Sequence, residues 1–238
     1  MNVSDLKVKI FGDGADKAAI LELCKNPIIK GFTTNPTLMR KAGIRDYEAF
    51  AKDLLESVPD RPISFEVFAD DYTSMQSQAL KIASWGENIY VKIPVTDTHG
   101  VGSYGLVHDL SHDGVKVNVT ALMTLLQVDQ CCDALEDGAP AYISVFAGRI
   151  ADTGRDPMPE MAEAVQRINY VAPNAELIWA SPRELLNVFQ ADAVGVHIIT
   201  ATTDILKKLP LVGKDLDEYS LETVKMFHRD AQESGYAL

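Results

Sequence analysis

Eight short apolar runs recur along the chain, and longer amphipathic stretches separate them. The runs are 7–12 (KVKIFG), 31–34 (GFTT), 63–68 (ISFEVF), 89–95 (IYVKIPV), 115–120 (VKVNVT), 141–147 (AYISVFA), 176–180 (ELIWA) and 195–201 (GVHIITA). Between them the apolar period predicts helices over 46–56, 73–84, 121–136 and 158–171, with starts at Asp46, Thr73 and Asp156. Strand and helix in alternation are the pattern of a parallel sheet, and eight such units in about 200 residues predict a closed (β/α)8 TIM barrel of the α/β class. An open doubly wound sheet competes, but its dinucleotide-binding form needs a third glycine that does not follow Gly12-Asp13-Gly14. The 238 residues suit one such domain, 1–238, whose last part, 204–238, reads as a helical C-terminal tail broken at Pro210 and Gly213.

Composition narrows the partners. Hydrophobic residues at 47% and charged ones at 24% are those of an ordinary globular chain. A net charge of -12, from 22 basic against 34 acidic side chains, offers no footprint for nucleic acid or an anionic membrane. A small anion would have to be held locally by a few Arg side chains, backbone amides or a helix N-terminus. The three cysteines, Cys24, Cys131 and Cys132, are odd in number and lack metal-ligand spacing, which fits a reducing, cytoplasmic setting. The N-terminal Met-Asn-Val-Ser-Asp-Leu-Lys shows no basic region followed by an apolar run, so no targeting segment is expected, and no run approaches about 20 apolar residues.

Polar residues inside the apolar runs are the candidates for chemistry, because the C-terminal strand ends of a βα barrel form its active site. Lys92 interrupts Ile-Tyr-Val-Lys-Ile-Pro-Val, where lost hydration favours a neutral, nucleophilic amine; a strand-end lysine reaching out to water is the other reading. Asp13 ends the first run and is either an acid/base group or a helix cap, with Asp16 as a rival. Glu66 sits between Phe65 and Val67, where a carboxylate needs a partner. Period-two alternation puts Asn118 with Thr120 on one face, and likewise Ser144 with Phe146. Arg149 and Ser181 follow two strand ends and suit a phosphate monoester, with backbone amides after Ser181-Pro182 facing the anion; Arg149 paired to Asp152 or Asp156 is the plainer reading. His108 and His112 share the spacing of a metal-binding pair but lack a third ligand, so no metal is expected, and His197 reads as a core or rim histidine.

Three motifs in order carry a resemblance over nearly the whole chain. Gly31-Phe-Thr-Thr-Asn-Pro-Thr37, Val91-Lys-Ile-Pro-Val-Thr96 and Ser144-Val-Phe-Ala-Gly-Arg149 resemble signature segments of the transaldolase family in its short form, which includes fructose-6-phosphate aldolase. The resemblance implies a class I aldolase-type barrel without metal or organic cofactor, acting on sugar phosphates. It assigns Lys92 as the Schiff-base nucleophile, Asp13 as acid/base at the C4 hydroxyl, and Glu66 with Thr120 to a proton-relaying water. Thr33, Asn35, Asn118, Ser144 and Phe146 would surround the dihydroxyacetone portion, and Arg149 with Ser181 the phosphate. The aldolase branch resembles a Gln and a Tyr at the positions of Glu66 and Phe146 and lacks the amide of Asn118, so these residues favour transaldolase. The stretch Ala180-Ser-Pro-Arg183 is shorter than the family's phosphate loop, with Arg183 a replacement contact. Aldolase-type cleavage and a catalytically silent sugar-phosphate binder are the alternatives. Short members of the family resemble rings, as large as decamers, so a homo-oligomer is implied.

Overall fold

The computed structural model describes residues 2–236. Eight strands, β1 Lys9–Asp13, β2 Ile29–Thr33, β3 Ile63–Glu66, β4 Ile89–Pro94, β5 Val117–Leu122, β6 Ala141–Val145, β7 Ala175–Trp179 and β8 Ile198–Thr202, form a closed barrel in sequence order. All pairs are parallel, and β8 returns to β1 from Lys9↔Ile198 to Asp13↔Thr202, which rules out the open doubly wound sheet. The helices are α1 Lys17–Cys24, α2 Pro36–Lys41, α3 Tyr47–Ser57, α4 Tyr72–Ala83, α5 Tyr104–His112, α6 Leu125–Leu135, α7 Ala147–Asp152, α8 Met158–Val171, α9 Leu186–Ala193, α10 Thr203–Leu206 and α11 Leu216–Glu233.

The strand period of two sorts the side chains into two layers. Ile63, Val91, Ile93, Val119, Ile143, Leu177 and Ile199 point outward into one buried cluster with the helices. The opposite parity fills the interior: Phe11, Tyr142, Ile178 and Ile198 form a separate cluster. Its floor is aromatic, with Tyr90 stacked on Tyr142 at 3.8 Å and Phe11 edge-on to Tyr142 at 5.9 Å. Gly31 is required beside this floor, because a Cβ there would lie 2.6 Å from the Phe11 ring. One pleat higher, the same inward rows carry Asp13, Thr33, Lys92, Asn118, Ser144 and Thr200, so the interior turns from apolar to polar towards the C-terminal mouth.

Helix starts follow local capping chemistry. Asn35 Oδ1 accepts from Leu38 N at 3.0 Å and Pro36 occupies the first turn, so the Asn-Pro pair starts α2. Asp46 caps α3 as expected. The start expected at Thr73 belongs to Asp71, which accepts from Ser74 N, and Asp156 accepts from Met158 N at 3.0 Å just ahead of α8. The helix expected from 121 begins at Leu125: Ala121, at φ 69°, and Leu122 still belong to β5, and Thr124 with Gln127 forms a capping box. The tail has the expected break, with α10 followed by a 3-10 turn at Leu209–Leu211, Gly213 and α11. No residue of α11 is buried, although Leu216, Leu221, Val224 and Phe227 are apolar.

Candidate active site

Lys92 does not reach out to water. Its side chain is 7% exposed, its Nζ donates to the Thr34 carbonyl at 3.0 Å, and Glu66 Oε2 lies 3.2 Å away. The strand register explains this, because Lys92 is paired directly with Glu66 on β3 and with Asn118 on β5. The amine is thus held in the barrel mouth by an acceptor on either side.

Asp13 ends β1 and accepts from Thr33 Oγ1 at 2.7 Å. Burial pushes its pKa above the ordinary carboxylate value, and the Glu66 charge acts in the same direction, while the Lys92 charge and the Thr33 hydrogen bond pull back. Asp16 accepts from Ala19 N as the cap of α1, so of the two aspartates Asp13 is the one at the mouth and Asp16 serves the helix.

A second polar chain crosses the strands around Lys92. Ser144 Oγ donates to Asn118 Oδ1 at 2.7 Å, and Asn118 Nδ2 donates to Ser64 Oγ at 2.9 Å. Thr120 Oγ1 is buried without a hydrogen-bond partner among the described residues, which leaves its donor and acceptor capacity for a ligand or water.

Asp13, Thr33, Asn35, Lys92, Thr120, Ser144, Phe146, Arg149 and Ser181 line a single cavity of about 110 Å³. Glu66 and Asn118 adjoin it through Lys92 and Ser144. The structure therefore brings the residues to which the resemblance gives a catalytic or substrate-binding role to one end of the barrel. Asn35 lends Oδ1 to the α2 cap, so its amide nitrogen is the part left for the cavity.

At the outer edge the Arg149 guanidinium lies over the Phe146 ring, 5.2 Å from its centroid, and forms no ion pair with Asp152 or Asp156 among the described residues. Asp152 is instead held by Arg183, whose Nε donates to Oδ1 at 2.9 Å and whose Nη2 pairs with Oδ2. The remaining edge of Arg183 donates from Nη1 to Ser181 Oγ at 3.2 Å. The α7 turn is pressed flush on the Ser181 loop: Ser181 sits at φ 60°, and a Cβ on Gly148 would meet its carbonyl oxygen at 1.6 Å. One expectation is corrected here. No helix begins at Ser181-Pro182; α9 starts at Leu186, and the Arg183 and Glu184 amides both donate to Asn187 Oδ1, so they are not available to an anion.

Thr34, Ser64 and Thr200 were not singled out in the sequence. Thr34 contributes only its carbonyl, which no side-chain pattern reveals. Ser64 precedes Glu66 by two residues and so shares its face, and Thr200 lies inward on β8, 2.6 Å from Thr33 Oγ1. The same period-two count that marked Asn118 and Thr120 would have marked both.

The other candidates lie elsewhere. His108 and His112 stack at 4.1 Å on the exposed face of α5, and among the described residues no group of three ligating side chains is assembled. His197 Nδ1 accepts from Leu177 N at 2.9 Å, and burial lowers its pKa. The largest cavity, about 930 Å³, opens near the N-terminal ends of β4 and β5. Lys52 and Lys81 there are engaged by Glu48, Lys116 by the Glu87 carbonyl and Arg61 Nη2 by the Cys24 carbonyl, while Arg61 Nη1 is buried without a partner among the described residues. No described helix is long and apolar enough to cross a membrane.

A closed barrel of eight parallel strands alternating with helices belongs to the TIM-barrel class, and solved structures agree on the fold. KGPDC from Streptococcus mutans superposes with a TM-score of 0.57 at 13% identity, covering 85% of this chain and 91% of that one. The 3-hexulose-6-phosphate synthase from Salmonella typhimurium superposes with a TM-score of 0.57 at 13% identity, covering 84% and 91%. Sequence narrows the class further. Residues 10–238 match the model of the transaldolase/fructose-6-phosphate aldolase family, and the chain belongs to that family. A relative described as a probable transaldolase, from Streptococcus pyogenes serotype M5 (strain Manfredo), is 36% identical over 202 residues, 85% of this chain and 90% of the relative.

Proposed function

We propose that the chain is a class I transaldolase that moves a dihydroxyacetone unit from a ketose phosphate, of the sedoheptulose 7-phosphate or fructose 6-phosphate type, to an aldose phosphate. The observation that carries this reading is the Lys92 amine, 7% exposed and 3.2 Å from Glu66, in a cavity that also holds Asp13. Lys92 passes its ammonium proton to Glu66, 3.2 Å away, the freed amine adds to the ketone carbon, and Glu66 returns the proton as water leaves, giving a protonated imine. The Asp13 carboxylate takes the C4 hydroxyl proton, the C3–C4 bond breaks, its electron pair moves into the imine as an enamine, and the first aldose leaves. Enamine C3 then attacks the acceptor aldehyde, protonated Asp13 returns its proton to the new alkoxide, and water hydrolyses the imine. Glu66 beside Lys92 and the unpartnered Thr120 hydroxyl suit the water steps. The Ser144–Asn118–Ser64 chain and Asn35 suit the hydroxyls of the three-carbon unit. Arg149 and Ser181 suit the phosphate.

Glu66 and Phe146 favour transfer over simple aldol cleavage, because neither supplies the hydroxyl or amide that the aldolase branch resembles there. The reading also takes in a soluble, cytoplasmic homo-oligomer, supported by α11, whose apolar residues Leu216, Leu221, Val224 and Phe227 have no burial within the chain. The test is transfer from fructose 6-phosphate to erythrose 4-phosphate. Acceptor-dependent product that vanishes in Lys92→Ala is expected. Equal cleavage without acceptor would favour the aldolase reading, and ketose phosphate binding without turnover the silent binder.

A further inference from the structure

Thr200 on β8 makes one side-chain hydrogen bond, and that bond leads to the proposed acid/base carboxylate. Its Oγ1 lies 2.6 Å from Thr33 Oγ1, which in turn donates to Asp13 Oδ1 at 2.7 Å. A hydroxyl has a single proton. The Thr33 hydroxyl donates its hydrogen bond to Asp13 Oδ1, so in the Thr33–Thr200 contact Thr200 is the donor. Both threonines are buried, at 2% and 5% exposure, and line the cavity beside Asp13. Asp13 Oδ2 has no hydrogen bond among the described residues, so the chain fixes one carboxylate oxygen and leaves the other for the cavity.

We propose that Thr200 is a positioning residue for Asp13, acting through Thr33 to lock the carboxylate with Oδ2 presented to the substrate. This rests on the reading of Asp13 as the group that takes the C4 proton. The fold itself gains nothing from the Thr200 hydroxyl, since a valine on this inward strand position has the same branching and buries no polar atom. Donation from Thr200 also polarises the Thr33 hydroxyl and strengthens its bond to the ionised form of Asp13. The charged groups sharing cavities with Asp13 are Lys92 and Arg149 on the barrel side and Asp16, Lys41 and Asp204 on the outer side, with Glu66 acting from β3. None of them is changed by substitution at 200.

The test compares wild type, Thr200→Val, Thr200→Ala and Thr200→Ser as full-length proteins. Dihydroxyacetone has no C4 hydroxyl, so borohydride-trapped adduct on Lys92 with this ketone reports folding and imine formation alone. All four proteins are expected to trap equally. With fructose 6-phosphate and erythrose 4-phosphate, Thr200→Val and Thr200→Ala are expected to lose about tenfold in kcat, and the acid limb of their pH–rate profile to move up by roughly half a unit, as a weakened hydrogen bond to the carboxylate requires. Thr200→Ser should restore both. Wild-type kcat and pH profile in a Val or Ala variant that traps normally would overturn the proposal, as would a Ser variant as impaired as Val. No adduct in wild type would instead overturn the Schiff-base reading on which the proposal stands.

Discussion

Lys92 Nζ lies 3.2 Å from Glu66 Oε2, and the two residues are direct register partners on adjacent strands. At 7% and 17% side-chain exposure the pair is largely withdrawn from water, so each charge depends on the other. Removing only one partner leaves an uncompensated charge, whereas replacing both leaves an apolar barrel wall. Glu66→Ala is therefore expected to lower stability by about 3 kcal/mol. The double variant Glu66→Leu/Lys92→Met is expected to regain most of that loss without regaining activity. Urea unfolding of the single and double variants at neutral pH measures the difference, and a double variant less stable than Glu66→Ala would contradict it.

Asp13 trades stability for chemistry. Burial raises its pKa, so the folded state disfavours the carboxylate. Its contribution to stability is fully present below the unfolded value, near pH 4, and is lost as pH rises through the folded value. Asp13→Asn has no such loss. The variant is expected to melt above wild type at pH 8, with the gap closing towards pH 4, while retaining imine formation and losing about 10²- to 10⁴-fold in cleavage. A melting comparison across pH, paired with trapping and turnover, checks both halves.

Arg149 stands at the cavity edge, parked over Phe146 rather than locked in an ion pair. In the proposed reading its guanidinium is free to meet a phosphate. Arg149→Ala is expected to raise KM for fructose 6-phosphate roughly 10- to 100-fold, the cost of about one or two charge-assisted hydrogen bonds. KM for unphosphorylated dihydroxyacetone should stay within about twofold, since it presents no phosphate. Equal effects on both donors would remove Arg149 from the phosphate role.

Gly148 sets the position of that arginine. A Cβ would sit 1.6 Å from the Ser181 carbonyl oxygen, a contact that backbone cannot absorb without movement. Gly148→Ala is expected to cost about 1–3 kcal/mol in stability, as overpacked substitutions do. It should also raise KM for phosphorylated donors selectively, because Arg149 and Ser181 separate. Denaturation and the same pair of donors read both effects.

The barrel is legible because eight apolar runs recur with longer stretches between them, four of which carry a helix period, and because the inward parity of Lys92, Asn118 and Ser144 follows from alternation alone. Helix starts were less so. The choice between Asp71 and Thr73, or the late start of α6, depends on which side chain meets which amide, and a left-handed residue such as Ala121 leaves no sequence signal. At the site, Asp13 and Asp16 could not be separated by spacing; helix capping by Asp16 separates them in space. The Ser181 loop departs from the sequence expectation for the same reason: Asn187, four residues beyond Arg183, takes the amides that a helix start at the Ser-Pro step would offer an anion. Thr200 has the inward parity that alternation marks, but its link to Asp13 through Thr33 shows only once its neighbour across the barrel closure is known.

The central claim is that Lys92 forms an imine whose three-carbon remnant waits for an acceptor. Borohydride trapping with fructose 6-phosphate, read by intact mass and peptide mapping with and without erythrose 4-phosphate, tests it most directly. The account predicts a reduced three-carbon adduct on Lys92 that accumulates with donor alone and is depleted when the acceptor is present. An adduct on another lysine, or no adduct with any ketose phosphate, would contradict it.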